Sequence, residues 1–151
     1  MSDEVEVRAV PAEVTFPLRQ AVLRPHQRVD ELALPTDGDP ATGHYAAFDG
    51  GGRVVGTGMV SRVSPWWAPD QPGWQVRGMA VEPSLRGRGI GSAILGVLLE
   101  HVRDHGGGLA WCNARTPARR LYEHAGFTTI GEPFELEHIG PHIAMAREVQ
   151  A

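Results

Sequence analysis

The sequence predicts a mixed α/β fold in which helices pack on a central sheet. Apolar residues alternate with polar ones in several short segments, and they recur at helical spacing in three others. The two kinds of segment follow one another along the chain, which is typical of this fold class. The 151 residues fit one ordinary domain, and no shift in composition marks a boundary. We therefore expect one domain that spans residues 1–151.

The first half of the chain predicts a strand, a helix, a long polar connection and a β-hairpin. The predicted ranges are residues 5–10, 11–23, 25–43, 44–48 and 54–63. In the helix, the apolar side chains that recur at helical spacing are Val14, Leu18, Ala21 and Val22. Residues 49–53, with three consecutive glycines, supply the turn of the hairpin.

The second half predicts four further strands and two helices. The strands are residues 75–81, 109–114, 127–130 and 143–149. The longer helix, residues 89–105, ends at three glycines and carries one apolar stripe made of Ile90, Ala93, Ile94, Val97, Leu98 and Val102. Thr116 is expected to cap the shorter helix, with Pro117 in its first turn and Gly126 at its end.

A loop over residues 64–74 contains three tryptophans, Trp66, Trp67 and Trp74. Large aromatic side chains in a loop either cover the core beneath it or form a wall of a substrate pocket. The sequence favours the first interpretation and leaves the second open.

Composition and charge exclude several function classes. The net charge of -4 and a pI near 5.9 argue against nucleic-acid binding. Every one of the 14 Lys+Arg positions is an arginine, so no catalytic or phosphate-binding lysine exists. Cys112 is the single cysteine, which excludes an intramolecular disulfide and a multi-cysteine metal site. The histidines show no metal-ligand spacing, so we expect no bound metal.

The sequence also bears on location. The first residues lack the apolar core of a signal peptide. No apolar run approaches the roughly 20 residues that a membrane span needs. We expect a cytoplasmic protein without a membrane partner.

The most informative segment, residues 81–92, lies between a predicted strand and the long helix. A helix start exposes unpaired N–H groups and partial positive charge, so Asp and Glu are favoured there. Residues 83–99 contain neither, and Arg86 and Arg88 stand there instead. Three glycines at alternate positions let an anion approach the backbone. The pattern indicates a pyrophosphate site or, alternatively, a solvated surface turn.

Two other kinds of anion site are excluded by the residues present. A nucleotide P-loop ends in Gly-Lys-Ser/Thr, and this chain has no lysine. The dinucleotide fingerprint needs a glycine or alanine where Ser92 stands, and it opens a βαβ unit, whereas this turn follows an inner strand.

The same segment resembles the acetyl-coenzyme A signature of the GNAT N-acetyltransferases. Residues 79–83 (Met-Ala-Val-Glu-Pro), followed by Arg86-x-x-Gly89-x-Gly91 and an apolar helix, are similar to that signature. The resemblance then extends downstream to the second motif of the family.

Residues 118–127 resemble that second motif, with a leucine–tyrosine pair and a closing Gly126-Phe127. The two motifs together span about residues 75–130, and both at this spacing are a strong signal. The end of the chain, residues 140–149, is similar to the ElaA-like subgroup of bacterial acetyltransferases.

The resemblance implies a mixed, mostly antiparallel sheet of about seven strands that splays at the fourth strand, with helices on both faces. It also implies acetyl-coenzyme A as co-substrate. The backbone of Met79, Ala80 and Val81 would hold the pantetheine arm and the thioester at the splay. The residues expected to cradle the pyrophosphate are Arg86, Gly87, Arg88, Gly89, Ile90, Gly91 and Ser92.

By the same resemblance, Tyr122 is the general acid that protonates the departing thiolate. Relatives often place a glutamate base on the strand before the second motif, but residues 110–113 contain no acid. We expect His142 to be the base, with Glu135 and Glu137 as the next candidates. Transfer would be direct, because no nucleophile is well placed.

Two polar positions in predicted inner strands keep alternatives open. Asn113 either contacts the cofactor or caps the following turn, since Arg115 stands where the family usually has asparagine. Arg77 either pairs with an acid such as Glu135 or anchors a substrate carboxylate, and pairing is favoured.

The acceptor is predicted as a primary amine, either a small molecule or a peptide N-terminus. Relatives often form dimers, so the resemblance allows a homodimer. A non-catalytic coenzyme A-binding or sensor domain is the alternative function. Acyl transfer through Cys112 is a third hypothesis, and it is disfavoured because a lone cysteine on an inner strand is usually part of the core.

Overall fold

The computed structural model describes residues 4–151. Along this range, strands and helices follow one another in the predicted order. The strands are β1 (Glu6–Ala9), β2 (Gly43–Phe48), β3 (Val54–Arg62), β4 (Trp74–Val81), β5 (Gly108–Arg115), β6 (Thr128–Leu136) and β7 (Gly140–Val149). The helices are α1 (Ala12–Leu23), α2 (Ile90–Asp104) and α3 (Arg119–His124), and short 3₁₀ turns occur in the connections.

The seven strands of the described chain form one sheet in the order β1-β2-β3-β4-β5-β7-β6. Neighbouring strands run antiparallel except for β4 and β5, which are parallel. These two strands pair only where Trp74 meets Ala110 and Gln75 meets Trp111. Beyond Gln75 they diverge, and the middle of the sheet opens. The mostly antiparallel sheet that splays at its fourth strand is therefore confirmed.

A bulge in β4 lies just before the predicted cofactor segment. Thr57 of β3 pairs with Ala80 and Met59 pairs with Arg77, so two residues of β4 lie opposite one of β3. Gly78 has φ = 65°, in the left-handed region that favours glycine. Its carbonyl accepts a hydrogen bond from Thr57 Oγ1 at 2.7 Å. Because a bulge bends its strand and increases the twist, it contributes to the divergence from β5.

The helices cover both faces of the sheet. Both α1 and α2 contact β3 and β4, and the hydrophobic cluster under α2 contains no residue of α1, so the two helices lie on opposite faces. The buried residues of α2 are Ile90, Ile94, Leu95, Leu98, Leu99 and Val102. Four of them belong to the predicted stripe, whereas Ala93 of that stripe is exposed and Val97 is half-buried. This cluster forms the main core of the protein.

The buried face of α1 differs from its apolar stripe. Its buried residues are Thr15, Phe16 and Arg19. The Arg19 guanidinium donates to Thr15 Oγ1 at 3.2 Å and to the Leu32 carbonyl at 3.5 Å, so a polar group fills the space beside the bulge. Val22, from the predicted stripe, instead lies at the opening of the sheet.

The start of α3 and the end of β6 differ from the boundaries that the sequence predicts. Thr116 does not cap α3, because it begins the 3₁₀ turn Thr116–Ala118 and its hydroxyl donates to the Pro141 carbonyl at 3.3 Å. Strand β6 continues well past residue 130, since it pairs with β7 as far as Leu136 opposite Gly140.

Substituting Gly78 tests the bulge. Gly78→Ala is expected to lower the free energy of unfolding by about 1–2 kcal/mol, because a side chain disfavours the left-handed backbone. The added Cβ would also lie 3.1 Å from Arg19 Nε. The matched control is Gly96→Ala in α2, where an added Cβ meets nothing within 4 Å and alanine favours the helix. Urea unfolding measures both variants, and equal destabilisation would contradict this account.

Candidate active site

The opening between β4 and β5 contains a cavity of about 770 Å³. Its walls come from the end of α1, from β4, from the bend before α2, and from β5, α3 and β7. The predicted site residues that line it are Met79, Ala80, Val81, Arg86, Gly87, Gly89, Ile90, Gly91, Ser92, Asn113, Tyr122 and His142. Arg88 is not among the lining residues. One cavity thus collects residues that are far apart in the sequence.

The bend between β4 and α2 leaves backbone amides unused. It consists of the 3₁₀ turn Pro83–Leu85 and residues 86–89, of which Gly87 and Gly89 have φ of 81° and 82°. An added Cβ at either glycine would meet nothing within 4 Å, so the space beside them is open. Within the described chain, no backbone carbonyl accepts a hydrogen bond from the amides of Gly87, Gly89, Ile90, Gly91 or Ser92.

The electrostatics of this bend suit an anion. The first turn of α2 contains no acidic residue, and Gly89, its N-cap, makes no side-chain cap bond. A helix N-terminus carries partial positive charge, and Arg86 adds a full charge at the cavity wall. The unused amides, the open space and the positive charge together fit a pyrophosphate group.

Residues 79–81 of β4 follow the bulge and lie along the gap. On its other side β4 pairs with β3 as far as Val81, which pairs with Gly56. On the gap side, the partner strand β5 has already diverged. Backbone N–H groups that point into such a gap can polarise a carbonyl oxygen. The geometry of this segment therefore fits a thioester.

Tyr122 of α3 reaches the cavity from the core side. Its side chain is buried among the core residues, and its ring packs edge to face on Phe127 with centroids 5.5 Å apart. Burial raises the pKa of Tyr122 well above its usual value, and the neighbouring Cys112 raises it further. No residue in the described range accepts a hydrogen bond from the phenol. Tyr122 is therefore a protonated donor whose hydroxyl is available to a ligand.

His142 of β7 lies opposite Arg115 of β5 and is 4% exposed. Its Nδ1 is 2.8 Å from the carbonyl oxygen of Gly140, and a carbonyl only accepts, so Nδ1 carries the proton. Burial lowers the pKa of His142, and Arg115 and Arg24 lower it further against the opposing effects of Gly140 and Glu135. The neutral ring therefore keeps a lone pair on Nε2.

The two glutamates considered as alternative bases lie elsewhere. Glu135 and Glu137 are exposed, and neither lines the cavity. Glu137 pairs with His138 at 3.5 Å. Of the three candidate bases, His142 is the one that the fold places at the cavity.

Asn113 lies at the cavity wall, and its Oδ1 accepts a hydrogen bond from Trp66 Nε1 at 2.9 Å. The capping alternative is wrong, because Arg115 precedes the turn Thr116–Ala118 and no side chain caps it. The position of Asn113 at the cavity is compatible with the predicted contact to the cofactor.

The three tryptophans of the loop have different environments. Trp74 belongs to β4 and is buried, whereas Trp66 is 55% exposed. Trp66 packs edge to face on Trp67 and on Phe134, and Phe134 stacks on His142 with centroids 6.1 Å apart. The described cavity wall contains no tryptophan. The core interpretation therefore holds for Trp74, and the exposed Trp66 contacts the ring of Phe134 that stacks on His142.

The expected pairing of Arg77 with Glu135 is wrong. No described acid forms an ion pair with Arg77, whose side chain is exposed at the cavity. Asp37 acts on it electrostatically, but that carboxylate lies 3.6 Å from His44 Nε2 and accepts the Leu34 N–H at 2.9 Å.

Cys112 lies in the core rather than at the cavity wall. Burial raises the pKa of its thiol well above the usual value, so no thiolate is available. These properties argue against acyl transfer through Cys112.

Sequence reasoning missed several lining residues. Arg24, Val22 and Leu23 at the end of α1 line the cavity, and Arg115 lies opposite them. The one available signal was at Arg115, where the family usually has asparagine. No local pattern marks Arg24, since its neighbours at the cavity come from distant strands.

Residues 4–151 also lack two other kinds of feature. No group of three His, Cys, Asp or Glu side chains in this range is arranged to hold a metal ion. Likewise, none of its helices combines the length and apolar character that crossing a bilayer requires.

Comparison with known proteins agrees with the motifs. A family model described as the acetyltransferase (GNAT) family matches residues 12–127. The chain belongs to this family. It is therefore an N-acetyltransferase that depends on acetyl-coenzyme A. Most of the residues that line the cavity lie within the matched region.

Similar proteins cover nearly the whole chain. The uncharacterized N-acetyltransferase YitI of Bacillus subtilis is 28% identical over 149 residues, which is 97% of each chain. The crystal structure of Escherichia coli ElaA superposes with a TM-score of 0.78 at 19% identity, covering 96% of this chain and 100% of that one. The crystal structure of a phosphinothricin acetyltransferase from Sinorhizobium meliloti, in complex with acetyl-coenzyme A, superposes with a TM-score of 0.76 at 21% identity. It covers 97% of this chain and 89% of that one. These structures share the fold.

Ser92 offers a test of the anion site. Ser92→Glu is expected to weaken acetyl-coenzyme A binding by about tenfold or more, because a carboxylate in the first turn of α2 repels phosphate. The fold should be no less stable, since Ser92 is exposed and an acid there suits the helix dipole. Ser92→Gln is the uncharged control. Calorimetry and thermal unfolding give the two readouts, and equal affinity of both variants would contradict the placement.

Proposed function

We propose that the protein transfers the acetyl group directly from acetyl-coenzyme A to a primary amine. The observation that carries this proposal is the shared cavity, in which the bend before α2, residues 79–81, Tyr122 and His142 meet at the opening of the sheet. The pyrophosphate would bind the amides of the bend, and the thioester carbonyl would accept from the N–H groups of residues 79–81. Asn113 would contact the cofactor between them.

The amine must lose its proton before it attacks. An alkyl amine with a pKa near 10.4 is about 0.1% neutral at pH 7, a penalty of about 4–5 kcal/mol. His142 is neutral and keeps a lone pair on Nε2, so it can accept a proton from a bound ammonium. The proton then leaves to solvent.

The transfer step needs one general acid and one general base. The neutral amine attacks the thioester carbonyl carbon, the new C–N bond forms, and the C–S bond breaks. The amine nitrogen loses its second proton to His142, and Tyr122 gives its proton to the departing sulfur. His142 then releases its proton to solvent and Tyr122 regains one, so the products are an amide and free coenzyme A. The raised pKa of Tyr122 keeps the donor protonated until the sulfur takes its proton.

The alternative function is a coenzyme A-binding module without catalysis. Such a module would use the bend but would not need Tyr122 or His142. The lone pair of His142 beside the same cavity favours the enzyme.

Tyr122 tests the acid. Tyr122→Phe is expected to lower kcat by about 10²-fold while acetyl-coenzyme A affinity is retained, because the ring keeps its packing on Phe127 and loses only the proton donor. The control is Tyr45→Phe, whose hydroxyl contacts His101 Nδ1 at 2.9 Å outside the cavity. Thiol release reports kcat. Unchanged kcat in Tyr122→Phe would refute the acid, and absence of thiol release by the native enzyme across a broad amine panel would favour the binding module.

His142 tests the base through the pH dependence. In the native enzyme, kcat should fall about tenfold per pH unit only below the pKa of His142, which lies below the usual 6.5, and should be level above it. His142→Gln has no group to accept the proton, so kcat should keep rising with pH up to the pKa of the bound amine. Initial rates from pH 5 to 9 distinguish the two. Parallel profiles would show that His142 is not the base.

A further inference from the structure

The cavity carries positive charge without a counter-charge. Its described lining includes Arg24, Arg77, Arg86 and Arg115, and it contains no Asp or Glu. Arg86 belongs to the bend that we assign to the pyrophosphate. The other three arginines, Arg24, Arg77 and Arg115, form an arginine cluster that the transfer step does not use.

The arginine cluster lies on the α1 side of the sheet. Successive side chains of a strand point to opposite faces, and the residues next to Arg77 and Arg115 on one side, Val76 and Ala114, belong to the core under α2. Arg77 and Arg115 therefore point toward α1. Arg24 and Arg115 both donate to the carbonyl oxygen at the end of α1, that of residue 23, at 3.1 and 2.7 Å.

No acid within residues 4–151 forms an ion pair with the arginine cluster. Asp37 acts on Arg77, but it acts on Arg19 as well. Burial lowers the pKa of Arg24, and the charges of Arg115, Arg77 and Arg19 lower it further. An anion bound among these groups would relieve their mutual repulsion.

We propose that the acceptor amine carries a carboxylate group, which Arg77 and Arg24 bind on the α1 side of the cavity while the amine faces His142. This inference rests on the proposed acetyl transfer and names its substrate class, a small aminocarboxylate. A guanidinium binds a carboxylate through two parallel N–H···O bonds. Arg77 makes no hydrogen bond to the rest of the described chain that would compete.

A substitution of Arg77 distinguishes acceptor binding from coenzyme binding. Arg115 lies within electrostatic reach of Arg86 at the bend, so its loss would affect both ligands. Burial lowers the pKa of Arg77 and the charge of Asp37 opposes this change, and neither effect comes from the bend. An arginine that binds the acceptor carboxylate should change the acceptor KM and leave the Kd of acetyl-coenzyme A unchanged.

The kinetic test uses free amino acids paired with their carboxamides. The native enzyme should use the carboxylate forms with a kcat/KM about tenfold or more higher than the carboxamides. Arg77→Gln should raise the KM of the carboxylate forms by about tenfold or more and leave the carboxamides unaffected. The control Arg103→Gln removes one charge from an exposed position of α2 and should change neither. Equal use of both forms, or weaker acetyl-coenzyme A binding by Arg77→Gln, would overturn the inference.

Two further measurements do not need turnover. Arg77→Gln should have the same or a higher Tm, because it removes a like charge; a lower Tm with an unchanged acceptor KM would show a structural role and overturn the inference. Calorimetry of the same amino acids with the coenzyme A complex should show binding that Arg77→Gln loses. If the native enzyme releases no thiol but binds carboxylates through Arg77, acetyl transfer fails and the carboxylate site stands. Thiol release without Arg77-dependent binding leaves transfer intact and refutes the carboxylate site.

Discussion

The loss of pairing between β4 and β5 beyond Gln75 is the constraint on which the site depends. Two inner strands of a sheet normally exchange backbone hydrogen bonds, and a backbone polar group left without a partner costs about 1–3 kcal/mol when it is buried. Here the backbone groups without a strand partner lie at the gap between β4 and β5, which is open to ligand and solvent. Strand β5 keeps its full pairing with β7, and β4 keeps its pairing with β3 apart from the bulge. The opening is thus held between two well-paired halves of the sheet.

The local charge of the cavity is opposite to the net charge of the chain. The protein has a net charge of -4, but the described lining of the cavity has four arginines and no acid. Positive charge at this position favours phosphates and a carboxylate, and it disfavours an ammonium ion. The same field that would hold an aminocarboxylate would therefore lower the pKa of its amine and reduce the work required of His142. The net charge of the chain does not reveal this local excess of arginine.

Features encoded in contiguous residues were predictable, and features formed between distant residues were not. The bend before α2 follows from its glycines and from the absence of acids in residues 83–99. The bond from Trp66 to Asn113 joins residues 47 positions apart, and no local pattern shows it. The buried face of α1 was also hidden, because Arg19 is buried through contacts with Thr15 and residue 32. Hydrophobic periodicity detects a helix but does not identify a face that buries a polar group.

The proposed acid and the proposed base lie on opposite faces of the sheet. Tyr122 belongs to the core cluster on the α2 side, whereas His142 precedes Ile143 of that cluster in β7 and so points to the α1 side. A carbonyl held in the gap between β4 and β5 would then have the proton donor for its sulfur on one face and the proton acceptor for the amine on the other. The proposed direct attack would use both groups in these positions. A covalent intermediate needs a nucleophile in the gap, and Cys112 lies in the core with a protonated thiol.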